Sequence, residues 1–115
     1  MAFATGDILV LPFPYSDQLA EKRRPAVVVS LPELEETHGL IWVAMITSDR
    51  RANRMDDVPI TDLGTAGLSA PSLVRPTKIA TIEPSRVIRV AGALSATSLA
   101  QVRACLMKYT PAEAL

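Results

Sequence analysis

Three positions in this chain combine a polar side chain with a neighbouring strand-like apolar segment, which suits chemistry on a phosphate group. Arg24 comes just before the run PAVVV, Thr47 and Ser48 follow the run LIWVAMI, and Arg75 interrupts the run SLVRPTKI. An arginine carries a fixed charge on a planar fork that matches phosphate oxygens. A hydroxyl in the same place can orient a phosphate or a ribose hydroxyl. Taken singly, each residue is explained equally well by a structural salt bridge or hydrogen bond.

Other kinds of catalytic chemistry find little support among the residue types. The chain has one histidine and one cysteine, too few for a zinc site of the usual kind. Cys105 falls inside a helical pattern and is predicted to be a packed core thiol. His38 precedes a glycine and is predicted to be an exposed turn residue, and the glycines do not follow the spacing of a phosphate-binding loop. We therefore predict neither a metal nor a cofactor.

The charges cancel overall but are unevenly distributed. Lysine and arginine total 12, as do aspartate and glutamate, so the formal net charge is zero. This balance argues weakly against a general nucleic-acid coat protein. The cations nevertheless form three groups: Lys22, Arg23 and Arg24; Arg50, Arg51 and Arg54; and Arg75, Lys78, Arg86 and Arg89. These are either solvated loops or, if the fold gathers them on one side, a basic groove.

The elements that would position these residues are mainly short strands. Apolar, β-branched runs separated by prolines and polar loops predict strands at Asp7–Phe13, 26–30, 40–47, 58–60, Ser72–Ile82 and 87–93, with a hairpin loop at 15–23. Asp7–Phe13 ends in prolines and suits an edge or a strand end. Helical spacing from Leu99 to Tyr109, with candidate N-caps at 95–98, predicts one C-terminal helix. The pattern favours a small antiparallel barrel or sandwich capped by that helix.

Length and composition predict a single small domain covering residues 1–115. Hydrophobic residues make up 49% of the 115, enough for a core, yet so small a domain buries only about two-thirds of its unfolded surface. Dimerisation would supplement that burial. No apolar run is long enough to span a membrane, no secretion signal stands at the N-terminus, and one cysteine suits a reducing compartment. We therefore expect a cytoplasmic protein.

Four sequence blocks, in order, resemble those of MazF/PemK-type toxins. They are GDILVLPFP, KRRPAVVVS, the strand end ITS, and LSAPSLVRPTKIATI. The match runs from Gly6 to the final helix and preserves block order and approximate spacing. GD followed about fifteen residues later by RRPAVVVS is specific, and PSxVR with a following KIxTI reinforces it.

The resemblance implies a mainly β fold, an SH3-like antiparallel barrel with a C-terminal helix, that forms a homodimer. It implies metal-independent cleavage of single-stranded RNA to a 2′,3′-cyclic phosphate and a 5′-hydroxyl, and a cognate antitoxin whose C-terminal tail blocks the RNA groove. By position, Arg24 matches an arginine that acts as acid or phosphate stabiliser, Thr47 a hydroxyl that positions the scissile phosphate, and Arg75 an arginine that some members use as general acid. Expected RNA contacts are Lys22, Arg23, Ser48, Arg50, Arg51, Thr77 and Lys78.

One position departs from the family pattern. Where Arg75 acts as acid, the resemblance implies an acidic general base two residues later, but that position is Thr77, which is no base at neutral pH. Either Arg24 and Thr47 carry the reaction, or another group takes the proton, or catalysis is weak. Two other functions stay open: a gyrase-poison barrel of the CcdB type, which needs a tryptophan at the tip of the final helix, and a degenerate RNA-binding or regulatory member.

Overall fold

The computed structural model describes residues 2–13, 22–48 and 55–111, and its main feature is a six-stranded antiparallel sheet. The strands are β1 (Asp7–Phe13), β2 (Lys22–Val28), β3 (Ile41–Ser48), β4 (Val58–Pro59), β5 (Ser72–Ile82) and β6 (Arg89–Ala93). Their order across the sheet is β4-β5-β3-β2-β1-β6. The sheet curls into a half-barrel, which confirms the predicted fold class.

Both faces of the curled sheet are buried, which explains why its central strands are almost continuously apolar. One apolar core, which we call the inner core, is built around Leu9, Leu11, Ala26, Val43 and Met45. The other, the helix-side core, contains Ile8, Val27, Ile46, Val74 and Val102. Because neighbouring residues of a strand point to opposite faces, each strand contributes alternate residues to the two cores.

Three helices accompany the sheet: α1 (Pro32–His38), α2 (Leu63–Ala66) and α3 (Ala96–Lys108), together with a 3-10 turn at Pro84–Arg86. The hydroxyl oxygen of Ser95 accepts a hydrogen bond from the backbone N–H of Ser98 and so caps α3. Val102 and Cys105 on the same helix are buried. The predicted C-terminal helix is therefore confirmed, and it covers the helix-side core.

Two glycines allow close backbone approaches, one before β1 and one in the edge strand β6. Gly6 has a φ of 95°, a conformation that favours glycine, and it donates a hydrogen bond to the carbonyl of Val28 at 2.8 Å. This turn leads directly into β1. At Gly92 an added Cβ would lie 2.3 Å from the carbonyl oxygen of Thr65. Only glycine lets β6 pack directly against α2.

Several predicted boundaries need correction. β2 begins at Lys22, so Lys22 and Arg23 lie in a strand and not in the predicted loop; pairing with Phe13 and Pro12 extends the ladder that far. The remainder of that loop, 15–21, lies outside the described residues. β1 is flanked by β2 and β6 and is not an edge, while Pro12 sits near its end, where a missing N–H is tolerated. His38 is exposed, as predicted, but ends α1 instead of forming a turn.

The ladder between β3 and β5 contains a three-residue bulge. Met45 pairs with Arg75, whereas the adjacent residue Ala44 pairs with Ile79, so residues 76–78 have no partners on β3. Pro76 is fully buried, and Thr77 and Lys78 are exposed. The bulge begins immediately after Arg75 and displays two side chains next to it.

Candidate functional site

The three candidate catalytic residues lie on one face of three neighbouring strands. Ala26 of β2 pairs with Met45 of β3, and Met45 pairs on its other side with Arg75 of β5. Arg24 and Thr47 lie one pleat beyond Ala26 and Met45, and alternation returns both to that same face. Thr47 pairs with Leu73, which makes it a diagonal neighbour of Arg75. Such neighbours are separated by about 7–8 Å, within reach of an arginine side chain.

These residues occupy the margin of the inner core and not its centre. Arg24 is half-buried and lies opposite the fully buried Leu11. Thr47 and Arg75 are 8% and 6% exposed. The site is therefore largely shielded from water, and charges there are screened less than on an open surface.

Arg75 is held by a carboxylate that the sequence did not point to. Its Nε donates to Oδ1 of Asp57 at 3.1 Å, and its Nη2 donates to Oδ2 at 2.9 Å. The Asp57 side chain is only 3% exposed. Two parallel bonds of this kind fix the plane of the guanidinium as well as its position.

The residue before Asp57 is anchored to the C-terminal end of α3. Asp56 has a φ of 75°, and its carboxylate accepts hydrogen bonds from Lys108 Nζ at 2.7 Å and from the Tyr109 hydroxyl at 2.6 Å. Both donors lie at the C-terminal end of α3. The segment just before β4 is thus bound to the end of α3 through Asp56 and to β5 through Asp57.

These contacts shift three pKa values in the directions expected for an ion pair. The hydrogen bond from Lys108, followed by that from Tyr109, holds the pKa of Asp56 below its ordinary value. The same contacts raise the pKa of Lys108 and that of Tyr109, mainly through the hydrogen bond each makes to Asp56. The ion pair is therefore charged across the neutral range.

The expected RNA contacts are distributed over both faces. Thr77 and Lys78 are exposed on the bulge beside Arg75. Ser48 and Arg23 are also exposed, but alternation places them on the face opposite Thr47 and Arg24. The backbone of Lys22 pairs with Phe13. Arg50 and Arg51 lie outside the described residues.

An open apolar groove of about 400 Å³ runs between α3 and the helix-side face of the sheet, and we call it the α3 groove. Its lining includes Val29, Trp42, Ile79 and Leu106, and Trp42 and Ile79 are 48% and 50% exposed. A second hollow continues past Cys105 to Thr77 on the bulge. This second hollow reaches the bulge that follows Arg75.

Cys105 belongs to the apolar packing beneath this groove. It is 7% exposed, and burial, followed by the charge of Asp56, raises the pKa of its thiol. A thiol that is harder to ionise is a poor nucleophile. The prediction of a packed core thiol is confirmed.

Two searches of the described residues concern metals and membranes. Within 2–13, 22–48 and 55–111, no group of three or more histidine, cysteine, aspartate or glutamate side chains could hold a metal ion. In the same part of the chain, no helix is long and apolar enough to cross a membrane.

The curled sheet and the C-terminal helix define a small half-barrel protein, and comparison with known proteins shows its family. The family model of PemK-like, MazF-like toxins of type II toxin-antitoxin systems matches residues 4–110. The chain therefore belongs to this toxin family. No curated protein sequence matches the chain closely enough to count as a relative.

Solved structures show the same fold. A MazE-MazF complex of Deinococcus radiodurans is 25% identical, with a TM-score of 0.71 over 94% of this chain and 95% of that one. MazF of the same organism without its partner is 24% identical, with a TM-score of 0.76 over 94% and 96% of the two chains. A mycobacterial endoribonuclease in complex with its cognate antitoxin is 13% identical, with a TM-score of 0.70 over 93% and 91%.

Proposed function

We propose that this toxin is an endoribonuclease that cleaves single-stranded RNA at selected sequences without a metal ion, leaving a 2′,3′-cyclic phosphate and a 5′-hydroxyl. The observation that carries the proposal is the common face of Arg24, Thr47 and Arg75 on adjacent strands. Membership of the MazF-like family, in which endoribonuclease activity is general, supports the same reaction. Its expected place of action is the cytoplasm.

The proposed reaction uses the 2′-hydroxyl of the RNA itself. The 2′-oxygen attacks phosphorus and passes its proton to water, the bond from phosphorus to the 5′-oxygen breaks, and the 5′-oxygen takes a proton from water. Arg24 stabilises the negative charge that grows on the phosphate oxygens, and Thr47 orients the phosphate and the attacking hydroxyl. Arg75 supplies a second contact to the phosphate. Thr47 and Arg75 are buried, so charges there are screened less than on an open surface.

Cleavage of a mixed RNA pool in the presence of a chelator tests this function. We expect discrete fragments with 5′-hydroxyl ends and cyclic phosphates at their 3′ ends. A synthetic RNA carrying the mapped site should become resistant when the nucleotide before the cut is replaced by its 2′-deoxy form. Intact RNA, or cleavage of the 2′-deoxy oligonucleotide, would contradict the proposal.

A cognate antitoxin is the proposed protein partner. The fold matches toxin chains solved in complex with antitoxins from Deinococcus radiodurans and from a mycobacterial species. We propose that the C-terminal tail of the antitoxin occupies the RNA groove and so blocks cleavage. Co-expression with the protein encoded next to the toxin should suppress RNA cleavage, and removal of that protein's C-terminal segment should restore it.

A homodimer is the proposed assembly, and the α3 groove is its candidate interface. Trp42 and Ile79 together expose an aromatic ring and a branched aliphatic side chain beside Leu106. Exposed apolar surface of this kind marks interaction sites. A second hollow next to the groove reaches Thr77 on the bulge, so a second copy seated on the groove would approach the segment that follows Arg75.

The alternative function, a gyrase poison of the CcdB type, requires a tryptophan at the tip of the C-terminal helix, and the position of the tryptophan does not support it. Trp42 is the second residue of β3, where it pairs with Thr81. The large apolar side chains exposed at the end of α3 are Met107 and Tyr109. No tryptophan is therefore presented at the tip of that helix.

A further inference from the structure

The contact between Asp57 and Arg75 is directional. Nε and Nη2 of Arg75 both bond to the Asp57 carboxylate, which uses two of the five N–H donors of the guanidinium. These two bonds therefore fix the orientation of the guanidinium, including the edge formed by its two Nη atoms. Because Arg75 is a diagonal neighbour of Thr47, that direction matters to anything bound at Thr47.

Asp57 is fixed from both sides independently of Arg75. On one side, Asp56 is bonded to Lys108 and Tyr109 on α3. On the other, the buried Val58 pairs with Val74 in the ladder between β4 and β5. The carboxylate is therefore placed by its neighbours and can orient the more flexible arginine.

Stability alone does not account for this pair. Both side chains are buried, at 7% and 3% exposed. Taking two charges out of water costs about as much as their attraction returns, and well-packed apolar residues often serve as well or better. A buried pair at the margin of a candidate site is better explained by a role in positioning.

We infer that Asp57, in the segment just before β4, is the positioning residue for Arg75. This inference rests on the proposed RNA cleavage. Asp57 does not contact the RNA; it holds the guanidinium so that Arg75 meets the scissile phosphate at a fixed angle. The carboxylate that orients Arg75 therefore comes from 18 residues earlier in the chain, and it does not replace the general base that is missing at Thr77.

The test measures kcat and KM for Asp57→Asn with a fluorescent RNA oligonucleotide that carries the mapped wild-type cleavage site. We expect kcat to fall roughly 10- to 100-fold, because a misplaced catalytic contact costs up to about 100-fold. KM should stay level or fall, because loss of the carboxylate leaves the charge of Arg75 uncompensated and attracts RNA. Asp57→Glu keeps the charge and should recover part of kcat. A purely structural role would not lower kcat and KM together.

A double-mutant cycle identifies the residue through which Asp57 acts. In an Arg75→Ala background, Asp57→Asn should cause no further loss of kcat. The matched control is Asp62→Asn, an exposed aspartate that accepts a hydrogen bond from Thr65 at the start of α2, and it should cleave like the wild type. If Asp57→Asn does not fold, Arg75→Lys provides the second variant, because it keeps the charge but loses the fork. We expect the same fall in kcat.

The possible failures are distinguishable. If the wild type cleaves RNA and a folded Asp57→Asn variant, or Arg75→Lys, retains wild-type kcat, the inference is wrong and the proposed function stands. Equal loss from Asp57→Asn with and without Arg75 would show that Asp57 acts elsewhere, which also overturns it. If the wild type cleaves no RNA, the proposed function and the inference fall together.

Discussion

Arg24 lies directly opposite Leu11 in the ladder between β1 and β2, and Leu11 is fully buried. Paired residues of an antiparallel ladder project to the same face. The stem of Arg24 therefore starts from the margin of the inner core, and even its Nε atom is buried. Its charge is held at a defined place, unlike the charge of the exposed Arg23 next to it.

Arg24→Ala should abolish RNA cleavage while the fold survives. Removing one donor that stabilises transition-state charge costs roughly 100- to 1,000-fold in rate. Arg24→Lys should restore only part of the activity, because lysine lacks the planar fork. Arg23→Ala is the matched control and should weaken cleavage far less. Circular dichroism verifies the fold, and wild-type rates in a folded Arg24→Ala variant would assign this arginine a structural role.

Thr47→Ala should slow cleavage about tenfold, which corresponds to one hydrogen bond of about 1.4 kcal/mol. Thr47→Ser keeps the hydroxyl and should restore most of the rate. Ser48→Ala alters the adjacent hydroxyl on the opposite face and serves as the control. Single-turnover rates at saturating RNA separate these cases. Equal losses from Thr47→Ala and Ser48→Ala would show that the face does not matter.

Arg75→Ala should reduce the cleavage rate less than Arg24→Ala does, and Thr77→Ala should be nearly silent. Threonine offers no acceptor of low pKa, so little chemistry depends on it. Arg75→Ala should also raise KM and make RNA binding less dependent on salt, because one phosphate contact is lost. It leaves Asp57 buried without its ion-pair partner, which should lower the free energy of unfolding by about 3–5 kcal/mol. A collapse of kcat for Arg75→Ala with Arg24→Ala near wild type would move the active centre to β5.

The ion pair of Asp56 and Lys108 should make stability depend on pH at both ends of the scale. The pKa of Asp56 is lowered in the folded state, so its contribution is complete above the unfolded pKa and disappears as the pH falls below about 4. The pKa values of Lys108 and Tyr109 are raised, so their contribution disappears as the pH rises above about 10. Thermal unfolding of wild type and Asp56→Asn should differ most between these limits. A constant difference at every pH would contradict the assignment.

Trp42→Lys should disrupt the proposed homodimer. A charge placed in the middle of an apolar interface must lose its hydration, so association weakens. Val90→Lys is the control, because Val90 on β6 is 51% exposed, much like Trp42, but lies away from the α3 groove. Light scattering at micromolar concentration should report a dimer for the wild type and Val90→Lys, and a monomer for Trp42→Lys. A wild-type monomer would refute the dimer itself.

The sequence predicted the residues that lie at strand ends better than it predicted their partners. The apolar runs around Arg24, Thr47 and Arg75 identified strands, and β1 and β5 have the predicted limits. The pairing of Arg75 with Asp57 depends on β4, a two-residue edge strand that joins distant parts of the chain. No local periodicity encodes such a contact. α2 was missed because the four residues LGTA carry no helical period.

The bulge at residues 76–78 separates residues whose strand pairing is fixed from residues whose side chains can be substituted without affecting that pairing. Arg75 before it and Ile79 after it are locked into the ladder with β3, while Thr77 and Lys78 have no partners there. Substitution at these two positions disturbs no strand pairing. The fully buried Pro76 anchors the bulge in the core. Selection can therefore vary these two side chains while the three candidate catalytic residues stay in register. Divergence in target sequence among descendants of this toxin would accumulate here first.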